Sequence, residues 1–91
     1  MEAMRIAVVQ THWPGDRATL TATYRDLVGL AASREADLVC LQEFSLSPYF
    51  ASIMDDAGFA WAEPLHGGPS DKFLGELARE HGLWLVGSVF E

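Results

Sequence analysis

Residues 36–50 read ADLVCLQEFSLSPYF, and no other stretch limits the possible folds so tightly. Leu38-Val39-Cys40-Leu41 is a short apolar run of strand character that ends abruptly on Gln42 and Glu43. A run apolar at successive positions belongs in a sheet covered on both faces, as parallel sheets of α/β proteins are. A carboxylate is costly inside such a sheet. Glu43 therefore belongs at the carboxyl end of its strand, where open α/β sheets form their binding crevices.

The rest of the chain supplies partners for that strand. Met4 to Gln10 is β-branched and nearly continuous in apolar character, and reads as a first strand. Thr11 to Gly15 is a loop punctuated by Pro14-Gly15, and Asp16 is a good N-cap. Leu20, Tyr24, Leu27, Val28 and Ala31 recur at helical spacing, which predicts a helix over roughly 17–34 with one buried stripe. The second strand covers Asp37 to Gln42. A long connection from Phe44 to Pro69 carries six Pro and Gly breakers, a length typical of functional loops or of short further elements. Ser70 is placed to cap a second helix with Phe73, Leu74, Leu77 and Ala78 on its apolar face. His81 and Gly82 suit the end of that helix, and Leu83 to Phe90 follows as a third strand.

The order β-α-β-α-β predicts an α/β fold with parallel strands joined by right-handed crossovers. All three strands are apolar at odd and even positions, so both sheet faces need cover. If both helices lie on one side, the other face is bare over several hundred Å2, about the size that marks an interface. The chain of 91 residues holds at most one small domain and reads as the opening part of a longer one.

Composition narrows the function classes. An apolar fraction of 49% excludes a disordered acidic tail. A net charge of −7, with no cluster of Lys or Arg, argues against nucleic acid or an anionic membrane surface as partner. The longest apolar run, Leu83 to Phe90, is too short to span a bilayer, and no targeting segment is visible. Cys40 is the sole cysteine, which fits a reducing compartment, and the cytoplasm is expected.

Ile6-Ala7-Val8-Val9-Gln10, then Gly15-Asp16 opening a helix, then residues 36–43 resemble the start of the carbon–nitrogen hydrolase (nitrilase) superfamily. Residues 47–50, 62–65, 77–82 and 87–91 follow in family order, so the likeness runs from about residue 4 to 91. Leu41-Gln42-Glu43 with Pro48-Tyr49-Phe50 looks most like the N-carbamoylputrescine amidohydrolase and ω-amidase branches. The resemblance implies an α-β-β-α sandwich, of which residues 1–91 are the incomplete N-terminal portion. It also implies hydrolysis of an N-carbamoyl amine or ω-amide by a Glu-Lys-Cys constellation, without metal or cofactor. A small-molecule amide or carbamoyl substrate and a homo-oligomer are expected.

In that resemblance Glu43 is the general base. A thiol near its ordinary pKa is mostly protonated at neutral pH, so attack on a C–N carbonyl carbon needs a base beside it. Lys72 and Cys40 match neither the lysine nor the nucleophile of the family, so the 91 residues alone are expected to be inactive. Thr19 stands where many relatives carry Asn.

Each residue also has a plainer reading. Glu43 without the resemblance is a solvated strand terminator. Cys40 among Leu38, Val39 and Leu41 is a small buried hydrophobe. Tyr49 lines a substrate pocket by resemblance, or packs the loop on the sheet, and Phe50 is structural. His12, His66 and His81 lack metal-ligand spacing. Asp55-Asp56 are solvated loop acids, and 66–69 lacks the pattern of a phosphate cradle. Trp13, Trp61 and Trp84 are core or interface residues. The competing function is a non-catalytic, self-associating interaction module whose bare sheet face is closed by a homodimer. A nucleotide-binding domain is disfavoured because residues 11–16 contain no G-x-G-x-x-G.

Overall fold

The computed structural model describes residues 3–43, 45–47 and 62–89. Their elements follow the order β1 (Ile6–Val8), α1 (Arg17–Ser33), β2 (Leu38–Cys40), α2 (Pro69–His81) and β3 (Trp84–Val86). The three strands form one parallel sheet in the order β1-β2-β3, with Ile6, Leu38 and Trp84 in register at one end and Val8, Cys40 and Val86 at the other. This is the expected α/β arrangement. The regular strands are shorter than their apolar runs, although single ladder bonds continue past them. Val9 N–H donates to the Cys40 carbonyl, and Leu41 N–H to that of Val86.

Each helix begins and ends for local reasons. Asp16 caps α1 as expected: its Oδ1 accepts from the Thr19 N–H at 2.7 Å, and its Oδ2 accepts from the Thr19 hydroxyl at 2.9 Å. Those two bonds hold the exposed Asp16 carboxyl below its ordinary pKa, the Thr19 N–H most of all. At the other end Ala36 N–H reaches the Ala31 carbonyl and Glu35 N–H that of Ala32, the paired bonds of a Schellman ending. The residue that must turn left-handed there is Glu35, at φ 64°. In α2 that position is Gly82, at φ 62°.

The start of α2 corrects one expectation. Ser70 does not cap the helix but lies buried inside its first turn, after Gly68 and Pro69. The Glu63 carboxylate caps instead, accepting from the Ser70 N–H at 2.7 Å, while Asp71 accepts from Gly67 N–H at 2.8 Å. Gly68 is there for want of space, because a Cβ would strike the Pro64 carbonyl oxygen.

Both helices cover the same face of the sheet and pack on each other. Leu20, Tyr24, Val28 and Ala31 of α1 meet Phe73 and Leu77 of α2 over Val39, with Ala7 and Leu85 beside it. The Tyr24 and Phe73 rings stand 6.4 Å apart, tilted, and the Arg25 guanidinium lies over Phe73 at 5.0 Å. Trp13 packs against this core, whereas Trp84 is exposed; Trp61 lies outside the described residues. The opposite sheet face has no layer over it among the described residues, and Ile6, Val8, Trp84 and Val86 are exposed there. Cys40 is half-buried on that face rather than in the core.

Candidate functional site

The carboxyl ends of the three strands meet in one place. Glu43 stands there, three residues beyond the end of β2, in a bend and open to solvent. The turn that carries it is tied to every neighbouring element. Gln42 Oε1 accepts from the Thr11 N–H after β1 at 2.6 Å. Ser45 N–H donates to the Ser88 carbonyl after β3 at 3.0 Å, and Ser88 N–H donates back to Ser45 Oγ at the same distance. Ser45 Oγ in turn donates to the Gln42 carbonyl at 2.8 Å, closing the turn on itself. From beneath, the Tyr24 hydroxyl of α1 donates to the Ser45 carbonyl. Ser45 is fully buried, so these partners replace water for each of its polar atoms.

A second set of bonds holds the flank. Arg17 Nε donates to the Leu46 carbonyl at 2.9 Å, and its guanidinium pairs with Glu63 at 3.4 Å. One carboxylate, Glu63, thus joins the start of α1 to the start of α2. At each helix N-terminus one backbone N–H is bonded by a side chain of the chain itself, that of Thr19 by Asp16 for α1 and that of Ser70 by Glu63 for α2.

This frame presents an acidic side chain on a turn fixed from three sides, the requirement for a group that must meet a substrate in one orientation. The Carbon-nitrogen hydrolase family model matches residues 5–91. The chain belongs to the carbon–nitrogen hydrolase family. Among curated proteins no sequence matches closely enough to count as a relative. The three-stranded parallel sheet with its helices is consistent with part of the sandwich fold of carbon–nitrogen hydrolases.

The other sequence candidates separate cleanly. Tyr49 and Phe50 lie outside the described residues, as do Asp55 and Asp56. Cys40 is a strand residue and Lys72 an exposed one on α2. Among the described residues no cluster of three or more His, Cys, Asp or Glu could hold a metal. His81 ends α2, with its ring beside Gly29 of α1. Two surface grooves, of about 380 and 340 Å3, run along the outer edges of β1 and β3, and Glu43 lines neither.

Sequence reasoning missed the residues that hold the turn. Tyr24 reads as one more member of an apolar stripe, and its hydroxyl is the only hint of a polar task. Ser45 and Ser47 read as loop residues but are buried. Arg17 and Glu63 are 46 positions apart, and nothing local announces their pairing.

Proposed function

We propose that Glu43 is the general base of an amidohydrolase acting on a linear N-carbamoyl amine or an ω-amide. The observation that supports this most is that Gln42 and Ser45, on either side of Glu43, are tied to the segments after β1 and β3 and to α1 at the carboxyl end of the sheet, in a chain of the carbon–nitrogen hydrolase family. The resemblance of Leu41-Gln42-Glu43 and Pro48-Tyr49-Phe50 to the N-carbamoylputrescine amidohydrolase and ω-amidase branches supports the substrate class.

In this reading the Glu43 carboxylate takes the proton of a cysteine thiol, and the thiolate attacks the carbonyl carbon. A lysine ammonium stabilises the oxyanion that forms. Glu43 then returns the proton to the departing ammonia or amine, and activates the water that releases the acyl group. The thiol and the ammonium come from outside residues 1–91, since Cys40 lies within β2 and Lys72 on α2. The 91-residue chain by itself turns nothing over. Tyr49 contributes to the substrate pocket. The working protein is a cytoplasmic homo-oligomer that needs no metal or organic cofactor.

The test is ammonia release from N-carbamoylputrescine and from an ω-amide, measured for the chain alone and for the polypeptide encoded by its extended reading frame. The chain alone gives none, and the extended polypeptide is active. Glu43→Gln in the extended polypeptide abolishes the acyl-enzyme mass adduct and leaves the circular dichroism spectrum unchanged. Near-normal turnover in Glu43→Gln removes this residue from the mechanism.

A further inference from the structure

The buried stripe of α1 contains one member that core filling alone does not explain. Leu20, Val28 and Ala31 are purely apolar, whereas Tyr24 among them has no exposed surface and carries a hydroxyl. Burying a hydroxyl without a partner is costly, and Phe fills nearly the same space. The phenol is therefore explained by what it bonds, the Ser45 carbonyl. Phe73 packs against the ring, and only two side-chain torsions have to be fixed to aim it.

Ser45 is the second unexpected residue. It is fully buried outside any helix or strand, and its N–H, its carbonyl and its hydroxyl are all bonded. The space around it is tight. A Cβ on Gly87 would come within 3.3 Å of Ser45 Oγ and would strike the Leu74 side chain. Ser88 thus grips Ser45 from the β3 side, and Tyr24 grips it from the helix layer. Glu43 lies two positions earlier and is exposed, and among the described residues no hydrogen bond or ion pair reaches its carboxylate. The aim of that carboxylate is set by backbone, through Gln42 before it and Ser45 after it.

We propose that Tyr24 and Ser45 are positioning residues for Glu43, the phenol of α1 acting through the Ser45 carbonyl to fix where the carboxylate meets the reacting atoms. The proposal rests on the general-base reading of Glu43. A displacement of about 1 Å in a catalytic group costs on the order of 100-fold in rate. Neither Tyr24 nor Ser45 has surface with which to bind substrate, so their loss falls on the chemical step and not on affinity.

The test uses the extended polypeptide with N-carbamoylputrescine or the ω-amide, whichever it hydrolyses. With enzyme in excess, the single-turnover acylation rate constant does not depend on how many molecules are folded, which separates aim from stability. Tyr24→Phe and, separately, Ser45→Ala should lower it roughly 10- to 100-fold with KM within about twofold of the wild-type value. In Tyr24→Phe, amide hydrogen exchange should quicken at Ser45 and Ser88 and stay slow within α2. Val28→Ala thins the same buried stripe but leaves every bond to Ser45 in place, and should keep the rate constant. An unchanged rate constant in Tyr24→Phe beside an inactive Glu43→Gln overturns the inference alone. So does a loss carried by KM, an equal loss in Val28→Ala, or unaltered exchange at Ser45 and Ser88. Near-normal turnover in Glu43→Gln, or none in the extended polypeptide, removes the general-base reading and this inference with it.

Discussion

Tyr24 has no exposed surface and carries two loads, a ring packed against Phe73 and a hydroxyl that serves the Ser45 carbonyl. Replacing it with Phe keeps the ring and leaves a buried carbonyl short of its donor, a loss of about 1–3 kcal/mol in urea denaturation. Burial also pushes the Tyr24 phenol up to about 12, because the phenolate would lose its water. A raised folded-state value means that the stabilisation is complete below the ordinary tyrosine range and fades as pH climbs from about 10 to about 12. Phenolate absorbance followed beside circular dichroism will show late ionisation of Tyr24 accompanied by unfolding. Glu63 offers the parallel case among charges. Glu63→Ala strips Arg17 of its partner and Ser70 N–H of its acceptor together, and should lower stability by about 1–3 kcal/mol.

At the scale of elements, the two helix ends make a controlled comparison. Gly82 adopts the left-handed conformation without strain, whereas Glu35 adopts it with a side chain attached. Glu35→Gly should therefore raise the thermal midpoint, by a free energy of up to about 1 kcal/mol, since the exposed pair with Arg5 that it removes is worth little. Gly68→Ala should do the reverse, its methyl meeting the Pro64 carbonyl at the entry to α2. The Asp16 cap sets an acid limit. Its depressed folded-state value means that its contribution is present above the ordinary carboxylate range and is lost as pH falls through and below about 4, which helix circular dichroism will report.

Element types and order were legible because they follow from periodicity: Leu20, Tyr24, Val28 and Ala31 sit one helical stripe apart, and each apolar run became a strand. Asp16 and Gly82 were legible because capping is local. The Ser70 cap was misjudged because the acceptor that displaced it, Glu63, acts across an intervening turn that no pattern encodes. Strand lengths were overestimated because apolar character runs on past the regular ladder, where only single backbone bonds continue. The position of Glu43 at the sheet's carboxyl end was legible, but its anchoring through Thr11, Ser45 and Ser88 was not, since those bonds join segments some 30 to 45 positions apart.

At the scale of the molecule, the governing fact is that the described residues form one sheet with both helices on the same side. Both crossovers deposit their helices on the same face, so the core is rich there, and among the described residues the other face is apolar and uncovered. No described helix is long and apolar enough to cross a membrane. Core loss should accordingly be one-sided in its effects: Leu20→Ala, on the buried stripe of α1, should cost about 2–5 kcal/mol. The paired bonds between Ser45 and Ser88 also impose an order in time. During synthesis the segment bearing Glu43 leaves the ribosome more than forty residues before its clasp arrives. The anchoring of that segment is consequently complete only once Ser88 has emerged, however early its strand is made.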